Sequence, residues 1–311
     1  MRRRVSSVHG LIEQARGLGF VAIGFSHPGR PMFFDQFRAW IAGGKHGEMA
    51  WIERHMPLRE DPARLFEDCR TVITLAFPYS PNKPSTPDGF SVARYAEPNR
   101  IDYHRRLREL GKILAGTIKE QYPGTKTRVC VDSAPILERS FAYSSGIGFI
   151  GKNNMLIVPG HGSYLFLLEV LSTALLPYPK TEVMKNGCGS CRLCLDACPT
   201  GALEGPFTLN AAKCLSYLTI EHRGVVDGET ARKMGDCFFG CDICQEVCPL
   251  NKGVAPNRTL LPHTDKILEM DDMTFKEVFG RTAFARPGLE KIKGNIKAVR
   301  GSLNIDKRPD R

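Results

Sequence analysis

The chain contains the run Cys188-x2-Cys191-x2-Cys194-x3-Cys198-Pro199, and no other feature limits its fold so tightly. Thiolates at steps of three wrap the backbone round one corner of an iron–sulfur cubane, and the longer step before Cys-Pro turns the fourth thiolate toward another cluster. A zinc site usually uses separate C-x2-C pairs, without a third close cysteine or a terminal Cys-Pro. A second run, Cys241-x2-Cys244-x3-Cys248-Pro249, has the same ending, but Phe238 stands where its first cysteine would be. By pseudo-symmetry, Cys248 joins Cys188, Cys191 and Cys194 on the first cluster, and Cys198 joins Cys241 and Cys244 on the second. The remaining ligand is Cys214 or Cys237, and spacing leans only slightly to Cys214. These residues read as a ferredoxin-like module with two [4Fe–4S] clusters, a path for single electrons. It fills only about 60 of the 311 residues, so an acceptor for those electrons is expected upstream.

The upstream sequence alternates helical and strand patterns. Val5 to Leu18 and Met32 to Ile41 have helical spacing, and Ile101 to Gln121 is a longer helix with many charges. Phe20 to Phe25, Thr71 to Phe77 and Arg128 to Val131 read as short strands, and Pro135 to Ser144 as a helix with proline in its first turn. Met155 to Val158 and Tyr164 to Leu171 read as strands joined by a glycine-rich turn. The expected organisation is an α+β domain over residues 1–180, the cysteine module over 181–252 and a short basic C-terminal segment over 253–311, whose one helical piece is Thr274 to Phe279.

Composition narrows the setting. The apolar run Tyr164 to Leu176 is broken by Glu169, Ser172 and Thr173, and no run reaches the ~18 apolar residues of a membrane span. Arg2-Arg3-Arg4 is followed by no apolar stretch, so neither a secretory nor a twin-arginine signal is read. The expected location is the cytoplasm, where eleven cysteines point to metal rather than disulfides. A net charge of +10 favours a polyanionic partner, nucleic acid first. From Arg281 to Arg311 there are nine Lys or Arg against three acids, which reads as an electrostatic contact surface.

Several ordered motifs carry a resemblance: Gly47-Glu48-Met49-Ala50-Trp51, Ala93-Arg94-Tyr95-Ala96, Asp102-Tyr103-His104, Asp132-Ser133-Ala134-Pro135 with Glu138-Arg139, Gly146 to Asn153, Cys214 to Glu221, and Gly240 to Gln245. Over about Gly10 to Arg300 the chain resembles the epoxyqueuosine reductases, cobalamin-dependent enzymes that complete queuosine in tRNA. The resemblance implies a nitroreductase-like α+β domain that binds cobalamin, fused to the cluster module. It implies Cys214 as the fourth ligand of the second cluster, which leaves Cys237 a free, packed thiol. It aligns the family's general acid with Asp132, whose alternative role is a helix N-cap. Such an acid must hold its proton when substrate arrives, so partial burial under a corrin should raise its pKa. It places Tyr95 near cobalt and His55 near the corrin, with Gly151, Lys152, Asn153 and Ser216 lining the pocket. Asp102-x-His104 is not read as a cobalt-ligand motif, because Leu107 fills its glycine position; His104 is expected at a helix start with a hydrogen-bonded imidazole.

The implied activity is reduction of epoxyqueuosine to queuosine in the tRNA anticodon stem-loop by a monomer fed from a cytosolic electron donor. Longer family members grip that stem-loop with C-terminal helical repeats, whereas this chain stops about 60 residues after its last cysteine; the basic segment is expected to substitute in part through phosphate contacts. Two alternatives stand beside this reading: a reductive-dehalogenase-like cobalamin and iron–sulfur reductase acting on a small molecule, and an elaborated ferredoxin that binds no corrin.

Overall fold

The computed structural model describes residues 8–179, 181–251 and 258–306. Arg2 to Arg4, the first three residues of the helix expected from Val5, and Lys307, Arg308 and Arg311 of the basic segment lie outside the described residues. The chain divides into two compact units: residues 1–44, 50–78 and 104–190 in one, and residues 45–49, 79–103 and 191–311 in the other. No helix among the described residues is long and apolar enough to cross a membrane.

The first unit is built on a four-stranded antiparallel sheet in the order Ala22–Ser26, Thr71–Pro78, Leu165–Ser172, Thr127–Cys130. The two central strands are buried along almost their whole length, which explains their nearly unbroken apolar sequence. One buried cluster gathers Leu65, Val72, Cys130, Ile136, Phe141 and Leu171, and another Ala76, Ala142, Ile147, Leu156, Val158 and Leu165. The helix Tyr103–Gln121 buries Leu107, Gly111, Leu114, Ala115 and Ile118, a stripe at the spacing of one helical face. Gly111 lets that helix approach the sheet closely, because a Cβ there would lie 2.6 Å from Val129 and 3.1 Å from Leu168.

Two local expectations shift. Leu156–Ile157 pairs with Phe149–Ile150 rather than with Leu165–Ser172, because the chain already turns back at Val158 and Gly162 and then enters the main sheet. The helix expected from Pro135 begins at Glu138, since the segment before it is taken up by the turn at Asp132.

In the second unit the larger surprise is the C-terminus. The region read as a short basic segment forms the helices Thr264–Glu269, Asp272–Phe279 and Leu289–Asp306. Leu289, Ile292, Ile296 and Val299 are buried and complete a core with Phe238, Phe239, Phe275, Phe279 and Phe284. Their steps of three and four put them on one face, and the basic residues between them hid the pattern. Asn295, 1% exposed, fixes the helix by donating from Nδ2 to the carbonyls of Thr219 at 2.8 Å and Phe238 at 3.0 Å. Ile296→Ala should therefore destabilise the protein by roughly 2–4 kcal/mol, read as a lowered melting temperature; an unchanged melting curve would mean that this helix does not hold the core.

Candidate active site

Asp132 follows the strand Thr127–Cys130 and adopts a left-handed backbone, φ +46°. Aspartate tolerates this region because its short side chain bonds locally, yet the conformation costs on the order of 1 kcal/mol and persists only where its surroundings impose it. Two contacts do so. The Asp132 amide donates to Glu138 Oε1 at 2.7 Å, and its Oδ2 lies 2.9 Å from His104 Nε2. His104 sits in the first turn of the helix Tyr103–Gln121, as the sequence suggested. Asp132 is not a helix N-cap: the helix beyond it is capped at Leu137, without a side-chain bond. Its side chain is 45% exposed and that of His104 20%, so the carboxyl is presented at an opening rather than sealed in.

Behind this pair lies a group that sequence reasoning missed. Glu169 is wholly buried in the strand Leu165–Ser172. Burial first, and the Glu138 charge second, push its carboxyl well above the usual range. Burial likewise pushes Glu138 up to about 8, with Asp132 adding to the rise. Among the described residues no partner meets hydrogen-bond geometry at either Glu169 oxygen, yet each of the two carboxyls shifts the other. Arg139 is drawn down by burial and held up by Glu138. Arg59 responds in the same way, held up by both Glu138 and Asp132. The sequence held one clue, a lone carboxylate in the apolar strand LFLLEVLS.

The turn 151–154 supplies polar groups in the same unit. Asn153 is 5% exposed and its Oδ1 accepts the Met155 amide at 3.2 Å. Arg139 Nη1 donates to the Asn154 carbonyl, joining this turn to the helix that follows Asp132. Asn154 Nδ2 is buried and has no hydrogen-bond partner among the described residues, so it is a donor available to a ligand acceptor. Lys152 Nζ donates to the Gly189 carbonyl at 2.6 Å, which anchors the loop after Cys188. Asn186 ties the same loop down through Ile150, at 2.6 Å, and accepts the Cys188 amide at 2.9 Å. His55 is exposed and caps the helix Met56–Glu60 through its backbone.

None of the cysteines of the second unit is paired in a disulfide, nor is Cys188 of the first. Among the described residues no three His, Cys, Asp or Glu side chains converge on a single-ion position. The thiols instead form an electrostatic neighbourhood. Burial pushes Cys244 up to about 12, with Cys214, Cys194 and Cys198 among the charges adding to it. Cys241 is raised by burial and then by Cys237, Cys214 and Cys244. Cys214 is raised by burial and by Cys198, and lowered by the Ser216 and Tyr217 amides that face its sulfur at the start of the helix Leu215–Ile220. Ser216 therefore serves the Cys214 sulfur through its backbone. Cys237 is buried, and its thiol donates to the carbonyls of Phe239 at 3.4 Å and Gly240 at 3.6 Å.

The second cysteine loop is clamped by Arg94, 2% exposed. Its amide donates to Asp242 Oδ2 at 2.7 Å, its guanidinium meets Asp242 at 3.3 Å and also reaches Glu246, and Nε donates to Pro81 at 2.9 Å. Tyr95, next in sequence, packs on Phe239 with ring centroids 5.9 Å apart and meets Tyr103 edge-on at 6.3 Å. Gly240, φ +71°, must be glycine there, since a Cβ would lie 2.5 Å from that of Ala93. The motif beginning Gly47-Glu48 has a matching reason: the Glu48 amide donates to Tyr217 Oη at 2.8 Å, and a Cβ on Gly47 would lie 2.7 Å from the Tyr217 ring.

A double cysteine motif and an α+β unit carrying a strained, exposed carboxylate define an iron–sulfur oxidoreductase. Residues 187–251 match the family model of the 4Fe-4S double cluster binding domain, and residues 59–133 match that of epoxyqueuosine reductase QueG, DUF1730. The chain is 34% identical over 296 residues to the epoxyqueuosine reductase of Cellulophaga algicola, covering 91% of this chain and 94% of that one. It therefore belongs to the epoxyqueuosine reductase family. Among solved structures it is similar to an epoxyqueuosine reductase bound to an epoxyqueuosine-modified tRNA-Tyr stem loop, with TM-score 0.82, 29% identity and coverage of 95% of this chain and 81% of that one. It is also similar to the Bacillus subtilis enzyme with its catalytic aspartate loop swung out of the active site, with TM-score 0.78, 30% identity and the same coverage, 95% and 81%.

The paired carboxyls give the site a pH signature. Both keep protons in the folded state that the unfolded chain releases above about 4.5, so stability falls as pH rises from there through about 8. Glu169→Gln removes one of these protons and relieves the other. Melting temperatures of this variant between those two pH values should vary less steeply than the parent's; an equally steep profile would show that the pair does not titrate as described.

Proposed function

We propose that the chain reduces epoxyqueuosine to queuosine in tRNA, using two [4Fe–4S] clusters and cobalamin, with Asp132 as the general acid. The observation that carries this reading is the Asp132 turn: a strained, exposed carboxyl aimed at His104 in a chain of this family. Turning an epoxide into an alkene takes two electrons and expels the oxygen as water. Cobalamin, when bound, supplies the reduced metal centre that delivers those electrons. The residues must supply protons, because an alkoxide leaves poorly. Asp132 is suited to protonate the oxygen, and His104 to fix which carboxylate oxygen faces the substrate.

The polar groups of the first unit fit a corrin, whose rim carries amides. The buried Asn154 Nδ2 offers a donor to such a group, and a nitroreductase-like domain would place Asn153, Lys152 and His55 at its edge. Tyr95 and Ser216 are the further cofactor contacts that the family resemblance implies. The cluster ligands are Cys188, Cys191, Cys194 and Cys248 for one cubane, and Cys198, Cys214, Cys241 and Cys244 for the other. Cys214 is supported by the influence of Cys198 on it, by its own influence on Cys244, and by the two amides facing its sulfur. The Cys237 thiol is held by two carbonyls. Electrons pass one at a time from a cytosolic donor to a monomeric enzyme, and the everted base enters from the anticodon loop.

Two experiments test these assignments. Cys214→Ala should lose about half of the bound iron, while Cys237→Ala keeps it; the reverse result reassigns the ligand. Asp132→Asn should retain cobalamin and both clusters yet turn over roughly a hundredfold more slowly or worse, measured by mass spectrometry of nucleosides from treated tRNA. Parental turnover in that variant would remove Asp132 from the chemistry.

A further inference from the structure

Glu138 is a half-buried carboxyl for which the proton delivery described above has no use. It opens the helix Glu138–Ser144, and its Oε1 accepts the amide of Asp132, six residues back, at 2.7 Å. Of the two contacts that impose the left-handed turn, this one holds the backbone and the His104 contact orients the carboxyl. Backbone placement is the more consequential, because rotation about a left-handed residue would carry the carboxyl away as a whole.

The surroundings keep Glu138 in place. Glu169 stands behind it from the strand Leu165–Ser172, fully buried. Arg139 follows it on its own helix, Arg59 reaches it from the helix Met56–Glu60, and Cys130 ends the neighbouring strand. Ringed in this way, the carboxyl forms a fixed acceptor.

We propose that Glu138 is the positioning residue of the Asp132 acid, holding the Asp132 amide so that the turn stays in its working conformation, with Glu169 filling the space behind it. The inference rests on Asp132 being the acid, but its test does not. Hydrogen exchange of the substrate-free holoprotein, read by mass spectrometry, reports the Asp132 turn directly.

In the parent, the Asp132 amide should be protected by roughly tenfold or more over an open chain. Glu138→Met, which keeps the volume and loses the acceptor, should speed exchange in residues 131–137 by a similar factor. Glu138→Gln, which keeps an acceptor oxygen, should restore protection. In turnover, Glu138→Met should lower kcat roughly ten- to a hundredfold with KM for tRNA little changed, and should lower it no further in an Asp132→Asn background. An unprotected Asp132 amide in the parent overturns the proposal, whatever the variants do. So does unchanged exchange in Glu138→Met, or a Glu138→Gln protein no better protected than Glu138→Met. Full activity of Asp132→Asn would instead overturn the role of Asp132 and leave the exchange result standing.

Discussion

Burying several thiols together is the constraint from which the packing of the second unit follows. A buried thiolate is costly, and each neighbouring thiolate adds to the cost, as the raised values of Cys241 and Cys244 express. Iron removes the cost by taking the place of the protons, but only if the loops are already in position. The chain meets that requirement with backbone amides and a few fixed cations, Arg94 foremost, with Lys83 on Glu246 and Lys152 on the Gly189 carbonyl. The Ser216 and Tyr217 amides face the Cys214 sulfur, the Ile243 amide faces Cys241, and Arg94 locks Asp242 between Cys241 and Cys244. Such contacts favour negative sulfur without adding mobile charge. They also leave Tyr95 fixed against Phe239, one residue from the clamp.

The first unit solves a related problem with carboxyls. The proposed acid, Asp132, would have to lose and regain a proton, and a strong ion pair would hold it ionised. Asp132 is kept 45% exposed, and its partner is an imidazole rather than an arginine. Its backbone is held by Glu138, a group that adds no positive charge. Arg59 acts from a distance on both carboxyls, and Arg139 on Glu138. Strain and charge are thereby placed in the turn itself, and the sheet beneath it is built from apolar contacts.

Much of this could be read from sequence wherever the signal was local. The cysteine spacings, the helix from Tyr103 and the central strands depend on residues a few positions apart, and their patterns are strong. The turn at Asp132 was misread as the start of a helix, because Asp-Ser-Ala-Pro carries a capping pattern that the left-handed backbone overrides. The Glu138 and Glu169 pair joins the start of a helix to a strand 31 positions further along the chain, and no local pattern encodes it. The helix Leu289–Asp306 was hidden for a third reason. Charged residues are interspersed all along it, while its apolar residues serve a core assembled mostly from Phe238 to Phe284.

That helix also changes where the positive charge can act. As a loose basic segment it would have offered its cations to a polyanion. In the folded unit, Arg286 meets Glu221 at 2.8 Å, Lys291 donates to the Gly224 carbonyl at 2.7 Å, and Arg300 reaches Asp265. These cations fasten the helix to its own unit, and Lys291 is partly desolvated there. Arg105 and Arg108, by contrast, are exposed on the helix that carries His104, one and four residues beyond it. A surplus of +10 in the sequence is thus divided between cations that bind the fold and cations that face solvent. Only the second kind can contribute to the salt-dependent attraction of a nucleic acid. The charge that can matter for a tRNA substrate is therefore decided by which cations the fold leaves exposed, and the density of lysine and arginine along the chain does not locate it.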